Sequence, residues 1–277
     1  MAADEPIIRI EDVHKSFNGM AVLKGVSLRI RRGQTTVIIG PSGCGKTVLI
    51  KHVVGLIKPD RGRVFFQDQE VSTLSERRLV AVRRRMGFLF QGSALFDSMT
   101  VEQNILFPLS EHGHGTAVER RLRCGEVLGL VGLDGLQTRY PEELSGGQKK
   151  RVALARAIAL NPEVILYDEP TTGLDPIRAD LINELILRLQ SVLGTTAVVV
   201  THDLTSARKV GDRVLMLDDG QFIADTSPDM LDRVDNKVFT RFVQGKASEE
   251  ELAELQSGRL AQGPPAGNET QSQEPGT

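Results

Sequence analysis

Apolar and polar positions alternate in two kinds of segment along this chain. Short β-branched runs at 7–10, 35–39, 64–66, 87–90, 164–168 and 196–200 recur between longer amphipathic stretches. Apolar strands separated by helical periodicity predict an α/β protein with a mostly parallel, buried sheet. Two later runs, 214–217 and 221–224, flank Asp218-Asp219-Gly220, and that spacing predicts a hairpin. Between about Phe96 and Leu160 strand signals vanish and helical periodicity takes over, notably at 116–130 and 146–160. A helical subdomain inserted at about 92–160 is therefore expected.

The run at 35–39 leads directly into Gly40-Pro41-Ser42-Gly43-Cys44-Gly45-Lys46-Thr47, which fits G-x-x-x-x-G-K-[ST], and then into a helical segment at 48–56. In a strand–loop–helix setting this spacing binds phosphate. The glycines let amide N–H groups turn inward around phosphate oxygens, and the helix adds the positive end of its dipole. The motif assigns Lys46 to the β- and γ-phosphates and the Thr47 hydroxyl to Mg2+. Cys44 reads as a small space-filling residue, with a redox switch as the alternative. The run at 164–168 ends abruptly in Asp168-Glu169. Asp168 suits Mg2+ held through its hydration shell. Glu169, one residue on and directed differently, suits polarisation of an attacking water.

A third motif, Leu144-Ser145-Gly146-Gly147-Gln148, precedes a helical run, so Ser145 and the two glycine amides sit at a helix N-terminus, and Ser145 lies 23 residues before Asp168. Together the three motifs resemble the ATP-binding-cassette (ABC) family, with 40–47 as Walker A, 164–169 as Walker B and 144–148 as the signature. The resemblance covers roughly Ile7 to Phe242. It implies that Gln91 is the Q-loop glutamine contacting Mg2+ and the attacking water, Asp175 belongs to the D-loop, and His202 is the switch histidine. Phe17 takes the place of the aromatic that stacks on adenine, where the family more often has Tyr.

The same resemblance implies a RecA-like P-loop core with an antiparallel β subdomain and an inserted helical signature subdomain. By that resemblance two copies pack head to tail, each ATP lying between Walker A of one and Ser145-Gly146-Gly147 of the other, so a homodimer is expected. The implied reaction is ATP hydrolysis with Mg2+ held by Thr47, Gln91 and Asp168, Glu169 polarising water, and Lys46 and His202 on the phosphates. The implied partner is a separate integral membrane permease. Lys46 and Asp168 are only 122 residues apart, leaving no room for the long coiled coil of the family's chromosome and repair members, and one cassette is present where its translation factors carry two. The wording of 55–60, 86–91 and 92–109 resembles the ATPases of Mla-type phospholipid transporters, although many of those place Met where Gln148 stands. This implies phospholipid or related hydrophobic cargo, a mammalian-cell-entry (MCE) type lipid-binding partner, an accessory subunit as a further candidate, and the cytoplasmic face of the inner membrane of a Gram-negative envelope. An importer of amino acids or another small solute is the first alternative; a soluble, non-transport ABC ATPase is the second. Leu95, Phe96 and Met99 either line a groove for the permease or core the helical subdomain.

Composition narrows the classes further. The 277 residues carry 34 Lys+Arg against 36 Asp+Glu, a net charge of −2, so no general polyanion-binding field exists and nucleic acid is not an expected partner. Two cysteines, Cys44 and Cys124, are too few for a disulfide framework. No stretch approaches the ~20 apolar residues that span a bilayer, so a membrane role is expected to run through a partner. From Ser248 to Thr277 six glutamates face one arginine, leaving this segment at −5 and the rest of the chain at +3. An ATPase domain over 1–245 followed by an acidic extension over 246–277 is expected. Within the extension, Ser248 and Glu251 fit a capping box for a short helix, and the Gly/Pro/Ser/Gln bias beyond Gln262 reads as disorder. The basic clusters Arg83-Arg84-Arg85 and Arg120-Arg121/Arg123 are read as solvated helix faces, with anionic lipid headgroups as the alternative.

Overall fold

The computed structural model describes residues 5–247 and 252–253. The chain opens with two long antiparallel strands, β1 (Pro6–Phe17) and β2 (Met20–Arg31), joined at Asn18-Gly19 with both residues at positive φ. The turn residues of such a two-residue hairpin must adopt this conformation, and Asn-Gly favours it. β3 (Thr35–Ile39) runs into α1 (Lys46–Val53), followed by β4 (Arg61–Phe66), the short β5 (Gln69–Glu70), α2 (Glu76–Arg83) and β6 (Met86–Leu89). Three helices come next, α3 (Val101–Glu111), α4 (Ala117–Leu130) and α5 (Gly146–Ile158). The chain then alternates through β7 (Val164–Asp168), α6 (Pro176–Leu193), β8 (Thr196–Val200) and α7 (Leu204–Val210). The hairpin of β9 (Arg213–Asp218) and β10 (Gln221–Thr226) leads to α8 (Lys237–Val243).

The strands form two sheets. One has the order β10-β9-β3-β8-β7-β6, parallel throughout except for the antiparallel β10; the other is antiparallel, β2-β1-β4-β5. Two-residue alternation along the central strands splits the core into two layers. Val37, Ile39, Ile165, Tyr167, Ala197 and Val199 face the layer that includes α3, α5 and α6. Ile38, Val164, Leu166, Val198 and Val200 face the layer that includes α1 and the antiparallel sheet.

β2 is a strand that the run-based expectation missed. Its buried Leu23, Val26, Leu28 and Ile30 are interleaved with exposed Ser27, Arg29 and Arg31, so it carries the period of a half-buried antiparallel strand rather than an apolar run. The expected helices at 116–130 and 146–160 appear as α4 and α5. Thr116 caps α4 through a reciprocal box with Glu119, and Ser145 caps α5 with Gln148. The expected helix over 248–258 lies outside the described residues apart from Leu252 and Ala253, which are helical and exposed. The stretch beyond Gln262 lies outside them entirely. Among the described residues no helix is long and apolar enough to cross a membrane.

Candidate active site

The site is built at the carboxyl ends of the parallel strands, where an open α/β sheet leaves a crevice. Gly40 stands where β3 leaves the sheet, and a Cβ there would lie 2.1 Å from the carbonyl oxygen of Leu217 on β9. Any other residue would push the loop off the sheet. Gly45, at φ 105, precedes α1 without a side-chain cap, so the first amides of that helix stay available to an anion. Lys46 is buried; its Nζ donates to the carbonyl oxygens of Gly40 (2.8 Å) and Pro41 (2.9 Å) and lies 3.9 Å from Glu169 Oε1. An ammonium satisfied chiefly by loop carbonyls is ready to exchange them for phosphate oxygens.

Strand parity delivers the second half of the site. Asp168 shares the face of Val164 and Leu166, toward α1, and the Thr47 hydroxyl donates to its Oδ1 at 2.7 Å. Burial pushes the Asp168 carboxyl above the ordinary range, against the Thr47 hydrogen bond and the nearby Lys51 and Lys46; the Glu169 carboxylate pushes it up further. A desolvated carboxylate beside a hydroxyl is a donor set suited to a hard cation that retains waters and phosphate ligands, which fits Mg2+. Glu169 has φ 49, a left-handed conformation that costs a non-glycine residue about 1 kcal/mol or more. Its N–H is pegged to Val200 O at 2.9 Å. Its Oε2 accepts from the Thr172 hydroxyl (3.1 Å) and pairs with His202 Nδ1 (2.9 Å).

Ser42, Gly43, Gly45, Lys46, Thr47, Gln91, Glu169, Thr172 and His202 line one cavity of about 400 Å3. Thus eight of the residues singled out by sequence converge on one cavity within one chain, and Asp168 is bonded to one of them, Thr47. Cys44 instead packs against the core layer behind the loop, and burial pushes its thiol up, away from thiolate chemistry.

Phe17, Asp175 and the 145–148 segment do not join that cavity. Phe17 is exposed at the end of β1, with Lys15 Nζ 5.4 Å from its ring centre. Asp175 caps α6, its Oδ1 accepting the Arg178 N–H at 3.0 Å. Ser145 and Gly146 are exposed at the start of α5, and a Cβ on Gly146 would be 3.9 Å from Leu174 beside the Asp175 turn. The segments at 144–148 and 173–175 therefore lie side by side, and neither Ser145, Gly146 nor Asp175 lines the cavity.

Sequence reasoning passed over Lys150 and Thr172. Lys150 is buried on α5, with Nζ donating to Gln91 O (3.3 Å) and Glu169 O (3.2 Å). Burial pulls its ammonium below the usual lysine value, and the Glu169 and Asp168 carboxylates oppose that pull. The available signal was phase: Lys150 falls in step with Leu154 and Ile158 on the buried stripe of α5.

A second feature lies between β6 and the helices. Phe88 stacks on Phe90 (4.2 Å between ring centres) and Phe96 packs on Phe107 (4.7 Å). With Pro108, Arg156 and Leu160 they line a groove of about 350 Å3. Buried Asn104 fixes the loop that carries Phe96. Its Nδ2 donates to the carbonyls of Phe96, Met99 and Thr100 at 3.1 Å each, and its Oδ1 accepts the Phe96 N–H at 2.9 Å. Leu95 packs against the core, Phe96 lines the groove, and half-buried Met99 does not.

Residues 23–172 match the family model described as ABC transporter. A methionine import ATP-binding protein, MetN, of Brucella abortus is 43% identical over 82% of this chain, which spans only 61% of that protein's length. A probable ribonucleotide transport ATP-binding protein, mkl, of Mycobacterium tuberculosis is 37% identical over 86% of this chain and 67% of its own. The intermembrane phospholipid transport system ATP-binding protein MlaF of Haemophilus influenzae is 38% identical over 88% of this chain and 92% of its own. Among solved structures, a dimeric ATP-binding cassette in a post-hydrolysis state with ADP and Pi superposes with a TM-score of 0.75 at 35% identity, covering 80% of this chain and 98% of that one. Converging phosphate loop, acidic strand end and capped signature helix agree with these matches: the chain belongs to the ABC transporter ATP-binding family.

Proposed function

We propose that this chain is the ATP-hydrolysing subunit of an ABC transporter, acting as a homodimer on a separate membrane permease. The observation that carries the reading is the convergence of Lys46, Thr47, Glu169 and His202 on one cavity, with Asp168 hydrogen-bonded to Thr47. Lys46 and the amides of 40–47 would hold the phosphates, and Thr47, Asp168 and Gln91 would hold Mg2+. That ion, when bound, neutralises charge on the β- and γ-phosphate oxygens. Glu169 is placed to accept a proton from the attacking water, and His202 to orient both Glu169 and the γ-phosphate. Phe17 offers its ring to the adenine. Ser145, Gly146, Gly147 and Gln148, with Asp175, would complete the site of a second copy, since they stand apart from the first. ATP binding would thereby close the dimer and loss of the γ-phosphate reopen it. Nucleotide binding and Mg2+-dependent ATPase assays of the purified chain and of Lys46→Ala test the reading; unchanged ATP affinity in the variant contradicts it.

The aromatic groove suits an amphipathic helix of a permease, which would place the chain on the cytoplasmic face of the inner membrane. Phospholipid or related hydrophobic cargo, with an MCE-type lipid-binding protein and an accessory subunit as companions, is supported by the wording of 55–60 and 86–91 and by a match running over 92% of the phospholipid-transport relative. Import of methionine or another small solute is the second reading, favoured by the 43% identity to the methionine import protein. Co-purification of a permease with either an MCE-type protein or a solute-binding protein separates them. The division into an ATPase domain over 1–245 and an acidic extension over 246–277 belongs to the same proposal.

A further inference from the structure

Gln91 and Glu169 stand at the ends of neighbouring parallel strands. The last pair of the β6–β7 ladder is Leu89 with Tyr167, and each of the two site residues lies two positions beyond it. Past the ladder a single side chain spans the two strand ends. Lys150 Nζ donates to Gln91 O at 3.3 Å and to Glu169 O at 3.2 Å. Both distances exceed the ~2.8 Å of an optimal charge-assisted bond, so the ammonium is shared between the carbonyls rather than seated on either.

Burying an ammonium in this way does not serve stability well. The rest of the buried α5 face is small or apolar, including Val152, Ala153, Leu154, Ala155 and Ile158. An apolar side chain of similar volume would avoid the desolvation cost. What the lysine provides is direction. It holds the carbonyl side of left-handed Glu169, whose N–H side is held by Val200, and it holds the backbone of Gln91 at the start of the loop in which Ser93 and Ala94 are also at positive φ. Lys150 belongs to the helix that begins at Ser145-Gly146-Gly147, so one short rigid element joins the exposed signature corner to both strand ends.

We propose that Lys150 is a positioning residue that sets Gln91 and Glu169 as a unit and ties their placement to the signature end of α5. This rests on the roles proposed above for Gln91 and Glu169. Movement of the Ser145 corner on meeting a second copy is thereby passed to the metal-side glutamine and the water-side glutamate together.

The test is Lys150→Met, which keeps most of the length of the side chain and removes its donors. The variant is expected to stay folded by circular dichroism and to bind ATP within about threefold of the parent, because the 40–47 loop is untouched. Its kcat falls at least about tenfold, part of the roughly 10²–10⁴-fold that a positioned general base contributes, because Lys150 acts through Glu169 rather than on water itself. In nucleotide-free protein, amide hydrogen exchange rises in the peptides covering 88–96 and 167–173 and not in α1. Lys150→Arg recovers a large part of the lost turnover. If Lys150→Met does not fold, Lys150→Gln, whose shorter neutral amide cannot span both carbonyls, is put through the same comparison. Unaltered kcat, an equal loss of ATP affinity and turnover, or unaltered exchange at both segments overturns the proposal. Glu169→Gln is assayed alongside. Normal turnover there defeats the reading of Glu169 itself, whereas an inactive Glu169→Gln beside a normal Lys150→Met defeats only the role of Lys150.

Discussion

His202 Nδ1 lies 2.9 Å from Glu169 Oε2, the two residues reaching each other from the ends of adjacent strands β8 and β7. The pair forms one wall of the phosphate cavity, with the other glutamate oxygen 3.9 Å from Lys46 Nζ. In the role proposed above, a glutamate fixed in this way acts on water rather than binding nucleotide. Glu169→Gln should therefore bind ATP with near-parental affinity and hydrolyse it at least ~10²-fold more slowly, as for loss of a general base. Single-turnover assays with labelled ATP check this, and size-exclusion chromatography in ATP should show the variant held as a dimer.

Thr47 and Asp168 meet at 2.7 Å from elements 121 residues apart. Removing the hydroxyl in Thr47→Val leaves the volume of the loop and deletes one metal-side donor. The Mg2+ concentration for half-maximal ATPase should rise by about tenfold or more, while metal-free nucleotide binding changes little. Titration of ATPase rate against Mg2+ gives the answer, and an unshifted midpoint rules Thr47 out as a ligand.

Because Ser145 and Gly146 are exposed and lie outside their own phosphate cavity, the complete site should need two chains. Ser145→Glu places a carboxylate where phosphate is expected and should be inactive, as should Lys46→Ala. Mixed one to one, the two variants should recover up to about a quarter of parental turnover, since half the dimers are mixed and each holds one intact site. A mixture as inactive as its components contradicts the two-chain site. Specific activity of the parent should also fall on dilution.

Phe96 is 40% exposed on the rim of the aromatic groove, on a loop held by Asn104. Phe96→Asp puts a charge into that apolar surface and should abolish co-purification with the permease. The test is a pull-down from membranes expressing both, with circular dichroism to confirm the fold; retained association removes the groove as the docking site.

Glu163 joins four segments near the start of β7. It accepts from Arg85 (2.6 Å), Gln67 (2.8 Å) and Arg32 (3.0 Å). Burial pushes its carboxyl up, but the bonds from Arg85 and Arg32 outweigh it and hold the pKa below the ordinary glutamate value. The stabilisation is complete above the unfolded pKa of about 4.3 and is lost as pH falls through the lowered folded value. With the side chain 35% exposed and screened by solvent, Glu163→Gln should cost about 1 kcal/mol or less at pH 7. Its melting temperature should fall less steeply than the parent's below a pH of about 4.3. Parallel slopes in thermal melts would contradict the linkage.

Features written in a short stretch of chain are legible before the fold is known. The 40–47 loop, the acidic end of β7, the Ser145 cap and the β9–β10 hairpin are each specified by local backbone geometry and the periodicity of neighbouring side chains. Tertiary structure decided which of these meet. β3 and β7 are not neighbours in the sheet, since β8 lies between them. Thr47 reaches Asp168 because parallel strands present their carboxyl ends along one edge, with strand parity turning Asp168 toward α1. β2 escaped the run-based reading because an antiparallel strand with one exposed face has no apolar run to display. Lys150 escaped it for a related reason: a helix stripe shows that a side chain is buried, and only the packed strand ends show which carbonyls it meets.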